Sequence, residues 1–139
     1  MPTKVLHRIQ PGVQISVFLE NEPGTLGKAC ALLGDRGINI FAISLAEGLD
    51  HGYVRMVVDQ PETALRVFQE TGTLSYTRDV LLLELANTPG SLGAICRRLA
   101  EAGINLEYAY CAGGPGVEHG LVVMRVDDNE KALRVLKGS

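Results

Sequence analysis

Polar and apolar residues alternate along "QISVFLE", Gln14 to Glu20, with Ile15, Val17 and Leu19 on one side. A period of two predicts a half-buried strand. Pro23 and Gly24 break that strand and open a helix. On the helix, Leu26, Ala29, Cys30 and Leu33 recur at helical spacing, and Gly37 marks its end. "INIFAISLA", Ile38 to Ala46, is rich in β-branched and apolar residues and predicts a second strand. "EGLDHG" predicts a turn. "YVRMVVD", Tyr53 to Asp59, follows as a strand with Val54, Met56 and Val58 on one face. Pro61 starts a helix that turns Ala64, Leu65 and Phe68 inward, and "TLSYT", Thr73 to Thr77, closes the set as a short strand. The order is β-α-β-β-α-β. Two helices can cover only one face of a four-stranded antiparallel sheet, so the predicted fold is α+β and ferredoxin-like.

The pattern is then written a second time. "NEPGTLGKACALLGDRGIN", Asn21 to Asn39, has a near copy in "NTPGSLGAICRRLAEAGIN", Asn87 to Asn105. Pro23 falls on Pro89, Gly24 on Gly90, Leu26 on Leu92, Gly27 on Gly93 and Cys30 on Cys96. Farther on, His51 falls on His119 and Asp59 on Asp127, because the second copy is two residues longer near "GGPG", Gly113 to Gly116. A duplicated unit decides the organisation. The chain divides into an N-terminal segment, 1–13, and two ferredoxin-like βαββαβ units, 14–78 and 79–139. The units are expected side by side, each an antiparallel sheet with helices on one face. The second unit ends with the helix at Glu130 to Leu136 and has no segment left for its final strand. "TKVLHRI", Thr3 to Ile9, is surplus at the start and is set off by Pro11 and Gly12. Its Val5, Leu6 and Ile9 suit an extra strand that fills the vacant place, in its own chain or in a partner copy.

Composition narrows the function classes. Of 139 residues 46% are hydrophobic, enough for two small cores, and the net charge of -3 gives no footprint for nucleic acid. Apolar runs such as Val80 to Leu83 are strand-sized, so no membrane span is expected. "MPTKVLHRIQ" lacks the apolar region of a secretory signal, and a cytoplasmic location is the default. Cys30, Cys96 and Cys111 are odd in number without Cys-x-x-Cys spacing, which argues against disulfides and structural zinc. Cys30 and Cys96 are expected as small buried hydrophobes. His7, His51 and His119 have no metal-ligand pattern around them, and "GGPG" lacks the Gly-Lys-[Ser/Thr] ending of a phosphate loop. Ser44, Ser75 and Ser91 stand in no nucleophile pattern, and Arg97 and Arg98 read as solvated. Neither a catalytic residue nor a cofactor is expected, and the chain reads as a non-enzyme.

The doubled N-x-P-G-[TS]-L-G loop, the G-I-N about a dozen residues later and the βαββαβ frame resemble a tandem pair of ACT domains, from about Gln14 to the end. The resemblance implies a regulatory sensor of small molecules, usually free amino acids, often attached to a metabolic enzyme such as phosphoglycerate dehydrogenase or aspartate kinase. It also implies pairing of units into an eight-stranded sheet. Ligands would then sit in the seam, between the first loop of one domain and the second strand of its neighbour. One site would use Asn21, Gly24, Leu26 and Gly27 with Asn105; the other would use Asn87, Gly90, Leu92 and Gly93 with Asn39.

The loop chemistry suits that role. A helix start offers unpaired backbone N–H groups and the positive end of a dipole to an α-carboxylate. Glycines let a ligand approach the backbone, and an asparagine amide can meet either end of a zwitterion. Asparagine before Pro-Gly is equally an ordinary turn residue, and after Gly-Ile it can satisfy backbone groups. Duplication would copy either role. Two functions stay open: an amino-acid-binding allosteric regulator, or a ligand-independent subunit that assembles with a metabolic enzyme. Phe18, Tyr53, Val57 and Leu82 are expected on the sheet face away from the helices, which suggests a homodimer.

Overall fold

The alternating run at Gln14 belongs to a strand that begins earlier, at Leu6. In the computed structural model, which describes residues 4–20, 22–47 and 51–137, β1 spans Leu6–Glu20 without a break. It is followed by α1 (Thr25–Asp35), β2 (Ile40–Glu47), β3 (His51–Val58), α2 (Pro61–Glu70) and β4 (Ser75–Ala86). The second copy continues with α3 (Ser91–Glu101), β5 (Leu106–Ala112), β6 (His119–Val126) and α4 (Asn129–Lys137). Pro11 and Gly12, expected as a separator, lie inside β1. Proline's fixed φ is compatible with extended backbone, so it interrupts a strand only where its missing N–H is needed.

The chain divides into two compact units. One is Val13–Arg78; the other combines the residues up to Gly12 with those from Asp79 onward. β1 and β4 therefore each give one part to either unit. The eight strands that two βαββαβ units need are supplied by six segments.

In the unit Val13–Arg78 the strand order is β2-β3-β1-β4. β1 runs antiparallel to β3, with Ile15 opposite Met56 and Val17 opposite Val54. Ile15, Val17, Leu19, Val54, Met56 and Val58 turn one face of the sheet to α1 and α2. Ala29 and Leu33 meet it from α1, and Ala64, Val67 and Phe68 from α2. In the other unit the order is β1-β4-β6-β5, with Leu81 opposite Met124 and Leu83 opposite Val122. Leu81, Leu83, Leu85, Met124 and Val126 pack against Ile95 and Leu99 of α3 and Ala132 and Leu136 of α4. Val5, Leu6 and Ile9 are packed on this second core, and Ala86 donates its N–H to the Val5 carbonyl at 2.9 Å. The N-terminal stretch thus stands where the fourth strand of the unit belongs.

Further sequence expectations change. Cys30 and Cys96 are only half-buried: the inward stripe falls on Ala29–Leu33 and Ile95–Leu99, and each cysteine sits one residue, about 100°, around the helix from it. Arg98 is not simply solvated. Its Nη2 donates to the Val135 carbonyl at 2.9 Å and so holds the C-terminal turn of α4. Finally, Val57 is 2% exposed and so offers no free apolar surface, whereas Phe18, expected on the same face, is 36% exposed. Exposed apolar residues also gather on β2, where Phe41, Ile43 and Leu45 are 50%, 38% and 61% exposed.

Candidate functional site

Each repeated loop turns its chain from a strand into a helix by the same device. Gly24 and Gly90 cap α1 and α3 with φ of 87° and 88°, a left-handed conformation that only glycine adopts cheaply. Thr25 Oγ1 donates to the Glu22 carbonyl at 2.9 Å in the first loop. In the second, the hydroxyls of Thr88 and Ser91 lie 2.9 Å apart. A β-carbon on Gly27 or Gly93 would meet no atom within 4 Å, so the first helical turn is open beside the backbone. Asn21 lies outside the described residues. Its counterpart Asn87 is anchored to the hairpin that follows β5: Nδ2 donates to the Val117 carbonyl at 2.9 Å, and the backbone N–H to that of Glu118 at 3.0 Å.

Beside this anchored loop lies an open cavity of about 310 Å³. Its floor is Leu85, Leu92, Val122 and the Cys111–Ala112 end of β5. Asn87, Thr88 and Ser91 bring polar groups from the loop, and Gly113–Pro115 and Val117 form the far wall. Leu92 is 39% exposed, whereas its counterpart Leu26 packs partly against its own unit's core. Thr88, Ser91, Cys111 and the hairpin were not expected as site residues. The two-residue excess at "GGPG" was the signal that the second hairpin is built differently.

Asn39 and Asn105 have another setting. In each copy the asparagine backbone bonds the aspartate that follows the third strand, through that residue's side chain and its N–H. Asn39 N–H donates to Asp59 Oδ1 at 3.0 Å, and Asp59 N–H to the Asn39 carbonyl at 3.1 Å. Asn105 and Asp127 repeat this at 3.1 and 3.0 Å. The loop of each unit lies at the start of the third strand, with Leu19 opposite Gly52 and Leu85 opposite Gly120. The asparagine lies at the other end, roughly 25 Å along the strand. One amino-acid-sized ligand cannot touch both within one unit. Both asparagine side chains are exposed.

Among the described residues no group of histidine, cysteine and carboxylate side chains could hold a metal ion. No described helix is long and apolar enough to cross a membrane.

The family model described as an ACT domain pair matches residues 11–138. The chain belongs to the ACT domain pair family. A solved structure of protein BT0572 from Bacteroides thetaiotaomicron is similar to it at 29% identity and a TM-score of 0.86, covering 94% of this ACT pair and 89% of that chain. The regulatory subunit of aspartate kinase from Thermus thermophilus, in a ligand-free form, shares the fold at 20% identity and a TM-score of 0.69, over 97% of this chain and 98% of that one. The corresponding subunit from Thermus flavus has a TM-score of 0.63 at the same identity and coverage. No curated protein matches the chain.

Proposed function

We propose that this ACT pair is a non-catalytic regulatory protein that binds a free amino acid at its repeated Asn-x-Pro-Gly loops. The observation that carries the reading is the 310 Å³ cavity against the second loop, where Asn87 ties loop to hairpin. Its polar end beside the helix start suits an α-carboxylate, and its leucine and valine floor suits a small side chain. Asn21, Gly24, Leu26, Gly27, Gly90, Leu92 and Gly93 enter the proposal through the repeat. Asn105 is assigned to the site of the first loop and Asn39 to that of the second, as the family resemblance implies. Ligand would favour one arrangement of the protein over another, and a partner enzyme that senses this arrangement would be regulated.

A thermal-shift screen of the twenty amino acids tests the reading, because a ligand that binds only the folded state raises its apparent stability. For the amino acid that responds, Asn87→Ala is expected to weaken binding roughly fivefold, the worth of about one hydrogen bond. Calorimetry on Asn21→Ala and Asn105→Ala should show one and the same binding event weakened by both. Loss of different events would sink the assignment.

The exposed Phe41, Ile43 and Leu45 on β2 favour a second reading, a subunit that docks on a second copy or on a metabolic enzyme without needing a ligand. A titration silent across all twenty amino acids selects it.

A further inference from the structure

At the opposite end of the unit that begins at Asp79, a cleft of about 540 Å³ carries polar chemistry that the fold did not require. Its apolar wall is Pro11, Leu81, Val126 and Leu133. Facing groups come from Asp79, Arg125, Asn129 and Glu130. The duplication supplies a control. Leu81 pairs with Met124 as Ile15 pairs with Met56, and Asp127 bonds Asn105 as Asp59 bonds Asn39. In that alignment the first copy has Val13, Val57 and Pro61 where the second has Asp79, Arg125 and Asn129. The same βαββαβ frame folds without these three polar side chains.

Arg125 and Asn129 are held in one network through the Asp79 backbone carbonyl. Arg125 Nη1 donates to the Asp79 carbonyl at 2.7 Å, and its Nε is 3.5 Å from a Glu107 carboxylate oxygen. Asn129 Nδ2 donates to the same Asp79 carbonyl at 2.9 Å, while its Oδ1 accepts from Val126 N–H at 3.4 Å. A guanidinium held by a hydrogen bond at Nη1, with the Glu107 charge beside it, is partly oriented before any ligand arrives, which lowers the entropic cost of binding.

We propose that this cleft is a second small-molecule site, separate from the loops, and that it takes an α-amino acid with an aliphatic side chain. Arg125 receives the carboxylate through Nη2. The carboxylates of Asp79 and Glu130 receive the ammonium group, and Leu81, Val126 and Leu133 cover the side chain. Charge selects the zwitterion. A bare carboxylate would meet Asp79, Asp127 and Glu130 against one arginine already beside Glu107, and a bare amine would leave that arginine unused. The volume lies within the usual range for small-molecule sites.

The test is methyl NMR on the full chain with L-leucine and glycine as probes. L-leucine is expected to shift the methyl signals of Leu81, Val126 and Leu133, and glycine to leave them unmoved. Arg125→Val installs the residue of the first copy and should weaken the L-leucine response by about tenfold or more. Asp79→Asn keeps the backbone carbonyl used by Arg125 and Asn129 and removes only the acid, so it controls for folding; it should weaken the same response. Unmoved methyls at millimolar L-leucine, or a parent-like response in the folded variants, overturns the proposal. Shifts confined to Leu92 and Val117 would support the loop site and overturn this one. Shifts confined to Leu81, Val126 and Leu133 would do the reverse.

Discussion

Removing the chain through Gln10 is expected to unfold the unit that begins at Asp79 and leave Val13–Arg78 folded. Val5, Leu6 and Ile9 are packed on the core of Leu81, Leu83, Met124 and Leu136, although they lie far from it in sequence. Half-burying three such side chains contributes on the order of 3 kcal/mol. A unit of this size is stable by roughly 3–10 kcal/mol in total, so the loss is a large fraction of what exists. The deletion also strips the partner from the β4 backbone beside Val5 and exposes unpaired N–H and C=O groups. Amide NMR should show collapsed dispersion for residues 79–137 and native signals for 13–78. A peptide covering residues 4–12 should restore the lost signals when added in trans. A truncated protein that melts like its parent would refute this account of the N-terminal strand.

Gly12→Ala is expected to destabilise the same unit by about 1–3 kcal/mol, the usual cost of overpacking a close contact. A β-carbon at Gly12 would stand 2.6 Å from both Cγ and Cδ1 of Leu82. Cγ is not the free end of that side chain, so β1 or the Leu82 rotamer must shift. Glycine inside a strand is unfavourable by itself and marks a close approach of this kind. The cause can be isolated with Leu82→Ala, which removes the obstructing atoms. Alone, Leu82→Ala should cost little, because the residue is only half-buried. Combined with Gly12→Ala it should recover most of the lost stability, giving a coupling above about 1 kcal/mol in a double-mutant cycle. Denaturant midpoints of the four proteins decide it. Strict additivity would mean that Gly12 is there for another reason.

The sequence by itself determined most local elements and the core of the face that each one buries. Ile15, Val17 and Leu19 alternate, and Ala64 and Phe68 fall four apart, because strand and helix periods are written in adjacent residues. It also marked Gly37 as the end of its helix, where φ is 70°; the positive φ of Gly24 and Gly90 was seen only in the structure. The repeat pointed to two βαββαβ units before any coordinates, and the ACT pair family agrees with that reading. The two asparagines of each copy were legible as special but not in role. Backbone bonding to Asp59 and Asp127 joins residues some twenty positions apart, and no local spacing encodes it.

Only the tertiary structure decided which segments complete each sheet. Pro11 and Gly12 read as a break, yet β1 runs through them, and Ser75–Ala86 forms one strand where two were expected. Strand pairing is a contact between distant residues. A segment with a modest pattern, such as Leu6 to Ile9, becomes a strand when a core edge and an unpaired backbone are waiting for it. The same holds for both cavities. Val117 reaches Asn87 because the longer hairpin bends over the loop, and Arg125 meets Asp79 because β4 and β6 are neighbours. Chemistry made by partners from distant parts of the chain is set by the fold, since sequence periodicity carries only what neighbouring residues share.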